Sequence, residues 1–314
     1  MSHPDYDQEC TIVMYHYVRD LPNTIYPNIK GRLTIDFVKQ LEFIQKNYSI
    51  ISLRQYLEFL TLGKKIPAKT CLLTFDDGLR DHYQNVFPIL KRAGIKATFF
   101  IPTGTLLNKV VLPVHKLHFL LATMDSMDIL NEYHQTIQKW YPQLYDKYVI
   151  FKDQPKSEQK NVWDDNIVNN LKYHLSMMPA EMKERILEPL FRKHLGPEES
   201  FNEELYLHWE ELKEMVDDGQ EIGNHTVNHP RLTTLSEKAL FEEIHASKKV
   251  LEEGLNIKVL SISPPYGDFN DETINLIKKT GHHCSLTTDS GINISPGVDP
   301  FRLKRMDTNS IPRG

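Results

Sequence analysis

Short apolar runs that each lead into a stretch with helical spacing recur along this chain, and this alternation restricts the fold more than any other feature. Residues 11–18, TIVMYHYV, are β-branched and aromatic, as a buried strand requires. From Thr34 the segment TIDFVKQLEFIQKNY has an N-cap, an acid in its first turn and apolar residues at helical spacing. The unit repeats. TCLLTF reads as a strand, YQNVFPILKRAG as a helix closed by Gly94, and IKATFFI as the next strand. After residue 205 come helix HWEELKEMVDDG, ending at Gly219, strand EIG, and a helix whose capping box runs from Thr234 to Glu237. Strand KVLSIS, helix DETINLIKKTG and strand HHCSLTT complete the series. Roughly seven β/α steps with short connections predict a closed or nearly closed β/α barrel, with an open doubly wound sheet as the alternative.

Between 103 and 205 the rhythm breaks into helical stretches such as VHKLHFLLATM and AEMKERILEPLFRKHL, with Pro155, Pro179 and Pro197 as breakers. The chain is therefore expected to comprise a barrel of residues 1–102 and 206–314 and a mainly helical insertion, 103–205, covering one barrel face. A net charge of -5 offers no basic surface for nucleic acid or anionic lipid. Cys10, Cys71 and Cys284 are odd in number and widely spaced, which fits neither a disulfide framework nor a structural zinc cluster and suggests a reducing compartment. The N-terminus is polar, and the apolar run after it is too short for a signal h-region or a bilayer span. The expected location is cytoplasmic, with no integral membrane segment. The sequence carries no signal of oligomeric state.

The unusual polar residues follow the strands. Asp76 and Asp77 come after CLLTF, His225 and His229 after EIG, and Pro264-Pro265-Tyr266-Gly267 after KVLSIS. In a parallel β/α barrel the strand C-termini form one rim, so these distant segments share one cleft. Two imidazoles separated by three intervening residues can reach a single ion, and one carboxylate beside them makes an open site suited to a catalytic metal. Adjacent carboxylates repel, but one can bind the cation while the other stays free as a general base.

Thr74-Phe75-Asp76-Asp77-Gly78, then Asn224-His225-Thr226-Val227-Asn228-His229, then PPYG, in this order, resemble the polysaccharide deacetylase family, the NodB-homology or carbohydrate esterase family 4 enzymes. KATFF after the first motif and EIGNH into the second extend the resemblance, which spans about 11–102 and 206–306. It implies a distorted (β/α)7 barrel and metal-dependent hydrolysis of an N-acetyl group on a sugar. By the same resemblance Asp77, His225 and His229 hold a divalent ion, usually zinc, and Asp76 is the base. The backbone N–H of Tyr266, preceded by Pro265, faces the oxyanion.

Two departures stand out. Family members commonly supply a general acid from a Leu-x-His motif near the C-terminus, but PFRLKRMDTNSIPRG contains no histidine. VMYHYV resembles the opening strand of the circularly permuted poly-N-acetylglucosamine deacetylase branch, which implies His16 as the acid, with His282 and His283 as competing candidates. Members also carry an arginine before Pro-x-Tyr to orient the catalytic aspartate, and Ser263 stands there instead. Arg305 is the expected replacement and Arg302 the alternative. Tyr15, Tyr17, Tyr26 and Tyr266 are candidate sugar-stacking faces, while His115 and His118 are expected at exposed helix positions.

The sequence thus predicts a metal-dependent N-deacetylase acting on an intracellular nucleotide- or lipid-linked N-acetylamino sugar, or a short saccharide, in surface glycan assembly. The alternatives are an O-acetyl esterase or cyclic amide hydrolase on the same fold, and a degenerate sugar-binding module.

Overall fold

The computed structural model describes residues 8–157 and 164–313, so the polar stretch 1–7 lies outside the described residues. The strands are β1 (Gln8–Tyr15), β2 (Ser49–Ile50), β3 (Lys69–Phe75), β4 (Thr98–Ile101), β5 (Glu221–Asn224), β6 (Ser261–Ile262), β7 (Cys284–Ser285), β8 (Asn293–Ser295) and β9 (Met306–Asp307). They form one sheet in the order β7-β6-β5-β4-β3-β1-β8, with β2 on β3 and β9 on β1. Every pairing from β1 through β7 is parallel, and β8 alone runs antiparallel, against the start of β1. Leu286, just past β7, bridges in parallel to Leu303, and β9 then pairs in parallel with Val13 and Met14 of β1. The sheet thereby returns on itself as a distorted (β/α)7 barrel.

Alternation along the strands builds two apolar layers. Val13, Tyr15, Leu73, Phe75, Phe99 and Ile101 face helix residues such as Phe37, Leu41, Leu90, Leu212 and Leu251. Ile12, Leu72, Phe100, Leu286 and Leu303 point the other way, into a cluster joined by Tyr56 and Leu57 of the helix Leu53–Leu62. Gly223 in β5 lies opposite Phe100, and a Cβ there would stand 2.4 Å from that ring. The glycine of the EIG run is what lets Phe100 lie flat across the strand.

Several local expectations are refined. Thr34 is the first residue of the helix Thr34–Asn47, whose N-cap Leu33 makes no side-chain bond. The helix Glu237–Leu255 is capped by Ser236, because Thr234 is taken up in a preceding turn where its hydroxyl donates to the Arg231 carbonyl. The predicted helix YQNVFPILKRAG opens as a π-turn over His82–Val86, and Phe87 N bonds the His82 carbonyl. Pro88 cannot donate and its ring crowds the preceding turn, which is a sufficient cause for that wider winding. The helix then ends at Gly94 with φ +66°, as expected. KVLSIS and HHCSLTT shorten to two-residue strands.

The chain divides into two compact units: Met1–Asp20, Lys30–Asn108 and Leu205–Gly314 make the barrel, and Leu21–Ile29 with Lys109–Glu204 make the second. The second unit is helical, including Pro113–Thr123, Ser126–Trp140, Asn166–Met177 and Ala180–Leu195, around Leu120, Tyr133, Leu171, Ile186 and Leu187. Tyr26 packs edge-on against Phe119 at 4.9 Å, which joins 21–29 to these helices. His115 is fully buried rather than exposed, 6.0 Å from the His118 ring. Among the described residues no helix is long and apolar enough to cross a membrane.

Lys116 is only 1% exposed in this helical unit and pairs with Glu198 and, at 2.5 Å, with Glu184. Glu198 also accepts the Val111 N–H at 3.1 Å. Removing one partner of a buried ion pair costs about 3–5 kcal/mol when the remaining charge stays dry. Lys116→Met leaves Glu198, whose side chain is 15% exposed, without its cation and is therefore expected to lower the urea midpoint strongly. Glu198→Ala should cost less, because Lys116 keeps its pair with Glu184. The reverse order in equilibrium urea denaturation would contradict this account.

Candidate functional site

Backbone strain marks the rim. Among the described residues, six non-glycine residues have positive φ, and four of them are Asp77 (+79°), Thr226 (+65°), His229 (+56°) and Tyr266 (+61°). Each such conformation costs on the order of 1–3 kcal/mol and clusters at functional sites. All four sit just beyond the C-terminal ends of β3, β5 and β6.

Those loops bring three donors together. One oxygen of Asp77 and one ring nitrogen each of His225 and His229 lie within 4.8 Å of one another, and all three residues are buried. Both Nε2 atoms approach Asp77 Oδ1, at 3.3 Å from His225 and 3.4 Å from His229. His225 Nδ1 donates to the Ser263 carbonyl at 2.6 Å. A carbonyl only accepts, so in the neutral imidazole that bond leaves Nε2 as the lone-pair nitrogen facing Asp77. Burial alone would lower the His225 pKa, but the Asp77 and Asp76 carboxylates outweigh it and hold the imidazole above its ordinary value. Two imidazoles and a carboxylate oxygen converging in this way are a donor set suited to a divalent cation.

Asp76 faces a different partner. Arg305 Nη1 and Nη2 bond Asp76 Oδ1 and Oδ2 at 2.8 and 2.7 Å, a two-pronged pair with both residues buried. Arg305 Nη2 also donates to Ser263 Oγ at 2.9 Å, the serine hydroxyl donates to Asp76 Oδ2 at 3.2 Å, and Arg305 Nε donates to the Thr287 carbonyl at 2.8 Å. Burial pushes the Asp76 carboxyl up. The Arg305 charge and hydrogen bonds, with lesser help from His225 and His16, bring it down to about 2. Arg302, the alternative, lies on the surface against Asp271 and Asp299.

His16 directly follows β1, half-buried, and its neighbour Tyr15 accepts the Asp76 N–H at 2.9 Å. His82 Nε2 donates to the His16 carbonyl at 2.9 Å, and burial drives the His82 pKa down to about 4, so this ring is neutral. Arg19 grips both oxygens of Asp81, at 2.8 and 2.9 Å, and Asp81 also accepts the Val18 N–H. Asp81 and His82 thus tie the segment carrying His16 to the loop after β3, a role for which their sequence offers no signal.

The competing histidines are elsewhere. His282 bonds the Asn224 amide at 3.2 Å and the Thr280 hydroxyl at 3.0 Å, on the side where Asn224 donates to Ile244 of the helix Glu237–Leu255. Burial lowers its pKa to about 3. His283 is exposed before the start of β7. Of the four tyrosines, Tyr15 and Tyr17 are buried and Tyr26 belongs to the helical unit. Tyr266 is at the site: its ring meets His229 edge-on at 4.9 Å and carries the Arg231 guanidinium at 4.9 Å, while Pro265 beside it is buried.

The chain is 22% identical to YxkH of Bacillus subtilis over 301 residues, which cover 91% of this chain and 72% of YxkH. Its fold resembles that of IcaB from Ammonifex degensii, with TM-score 0.59, 19% identity and 98% and 95% of the two chains covered. The deacetylase PplD of Streptococcus pyogenes, solved in complex with acetate, superposes with TM-score 0.58 and 20% identity over 96% of this chain and 92% of that one. The polysaccharide deacetylase family model matches residues 63–137 and 180–285, more than half of the chain and both motifs that hold the converging acids and histidines. The chain therefore belongs to the polysaccharide deacetylase family and is a hydrolytic deacetylase acting on amide bonds.

Proposed function

We propose that the protein is a metal-dependent N-deacetylase that removes acetate from an N-acetylamino sugar. The observation that carries the reading is the meeting of Asp77, His225 and His229 on one point beside an Asp76 held ionised by Arg305. A divalent cation in that site, zinc by family resemblance, would supply a Lewis acid and lower the pKa of water toward neutrality. Asp77 and the two Nε2 atoms would hold it, and the Ser263 carbonyl fixes the His225 tautomer needed.

Asp76 takes the proton of the attacking water. The Tyr266 N–H, held by a strained turn, donates to the oxyanion that develops from the acetyl carbonyl, and Pro265 fixes that turn's entry. His16 protonates the departing amine, because it is half-buried directly after β1, the strand that pairs with β3 and whose Tyr15 carbonyl accepts the Asp76 N–H. The neighbourhood of β1 with both β3 and the last strand supports a permuted strand order in which the acid comes first. Cys10, Cys71 and Cys284 are buried free thiols, which supports a reducing compartment and hence an intracellular, nucleotide- or lipid-linked precursor or short saccharide as substrate. Acetate release from long polymers but not from such conjugates would overturn that substrate class.

Chelation of the cation should abolish acetate release and added zinc or cobalt should restore it, measured with an acetate assay on N-acetylated sugars. Asp76→Asn should cost about 10²–10⁴-fold in kcat at unchanged metal content, the span of general-base contributions. Full activity of Asp76→Asn would remove Asp76 from the mechanism.

Arg305→Met removes the largest influence that opposes burial at Asp76, so its carboxyl rises from about 2. A base works only when ionised, so activity is lost as pH falls through its pKa. The acid limb of kcat/KM is therefore expected to move to higher pH in Arg305→Met, and by less in Arg305→Lys, which keeps the charge but not the fork. Limbs that coincide in all three proteins would separate Arg305 from the charge state of Asp76.

A further inference from the structure

The five backbone N–H groups of 225–229 all have partners, and one acid supplies two of them. His225 N bonds the Ile101 carbonyl at 3.2 Å, Thr226 N the Asn224 side-chain oxygen at 2.8 Å, and His229 N the Thr226 hydroxyl at 3.1 Å. The middle two, Val227 N and Asn228 N, both reach Glu243 Oε2 at 2.9 Å, and Asn228 Nδ2 reaches Glu243 Oε1 at 2.7 Å. Glu243 comes from the helix Glu237–Leu255, outside the motif itself. On the opposite side, Thr103 N and Gly104 N donate to the carbonyls of Thr226 and Val227 at 3.1 and 2.8 Å. A Cβ on Gly104 would stand 2.7 Å from the Val227 carbonyl oxygen, so this contact needs glycine.

We propose that Glu243 is a positioning residue that clamps the His225–His229 loop in the conformation where both Nε2 atoms face Asp77. The inference rests on the reading of those three residues as the metal site. The loop has reason to need a clamp. Thr226 and His229 both occupy the left-handed region that side chains disfavour, so the free segment would relax and carry the imidazoles apart. Three hydrogen bonds to one carboxylate oppose that relaxation from the solvent side, while the Thr103 and Gly104 amides oppose it from the barrel side.

A charge effect and a positioning effect predict opposite variants. Glu243→Gln removes the charge but keeps an oxygen that can accept both backbone N–H groups, with the Asn228 amide turned over. Glu243→Asp keeps the charge but is one methylene too short to reach them. Metal-free wild-type protein, both variants and Asp77→Asn are titrated with Co²⁺, following the visible absorption of the bound ion. The expectation is that Glu243→Gln stays within about threefold of wild type, whereas Glu243→Asp binds about 10–100-fold more weakly with an altered spectrum, the range for residues that orient metal ligands. Equal affinity and spectrum for Glu243→Asp and wild type, or a loss confined to Glu243→Gln, overturns the proposal.

Hydrogen exchange over 225–229 in the metal-free proteins reads the clamp without any cation. Exchange there should quicken about tenfold in Glu243→Asp and not in Glu243→Gln. If wild type takes up no cobalt, or Asp77→Asn takes up as much, the metal reading fails while the exchange data still decide the clamp. Unchanged exchange in Glu243→Asp sinks the clamp even if cobalt binds.

Discussion

The ion pair between Asp76 and Arg305 is the interaction on which the rest of the site depends. A carboxylate next to another carboxylate, at the buried end of a strand, would ordinarily take up a proton. Burial is the largest influence on Asp76 and acts in that direction, and the buried two-pronged guanidinium reverses it. Such pairs add little net stability, since desolvation roughly offsets their attraction. The gain lies in the charge state: a dry, fully ionised carboxylate beside three metal-type donors. The guanidinium is satisfied as well, by Thr287, Ser263 and Asp76 together.

Arg305 reaches Asp76 only because the barrel closes. Leu303 bridges Leu286 and β9 pairs with β1, and Arg305 lies between those two contacts. Closing the ring and fixing the charge of Asp76 are therefore one structural event. Ser263 at the end of β6 is the complement: a small hydroxyl there leaves room for the guanidinium and bonds both members of the pair. The side chain can come from either side of β7, provided its head group arrives at the same carboxylate.

The sequence made the barrel legible because its strands and helices have unlike periodicities, and the rim residues legible because each follows a recognisable strand. Asp76, Asp77, His225 and His229 are found together on that basis, whereas Arg305 comes from the resemblance, as the replacement for the arginine absent before Pro-x-Tyr. Other features turn on contacts between segments far apart in the chain, which periodicity does not encode. Tyr26 packs with Phe119, His82 bonds the carbonyl of His16, and Lys116 and His115 are buried in the helical unit. Thr34 and Thr234 looked like caps because the residue type was right, but the first helix begins at Thr34 itself, with Leu33 at the cap position, and the second begins three residues after Thr234.

Alternation along a strand also explains why the two acids can be adjacent at all. Consecutive strand residues point to opposite faces, and Phe75 packs on the helix side while Asp76 turns toward Arg305. Continued extended backbone would send Asp77 back to the helix side. Its φ of +79° ends the alternation and turns its carboxylate toward the two histidines instead. Aspartate is among the few non-glycine residues that enter this region readily, and Gly78, at φ +61°, follows it with no side chain to obstruct the turn. The Asp-Asp-Gly order is thus a geometric device: one residue ends the strand facing inward, the next is bent to the same side, and the third makes the bend possible.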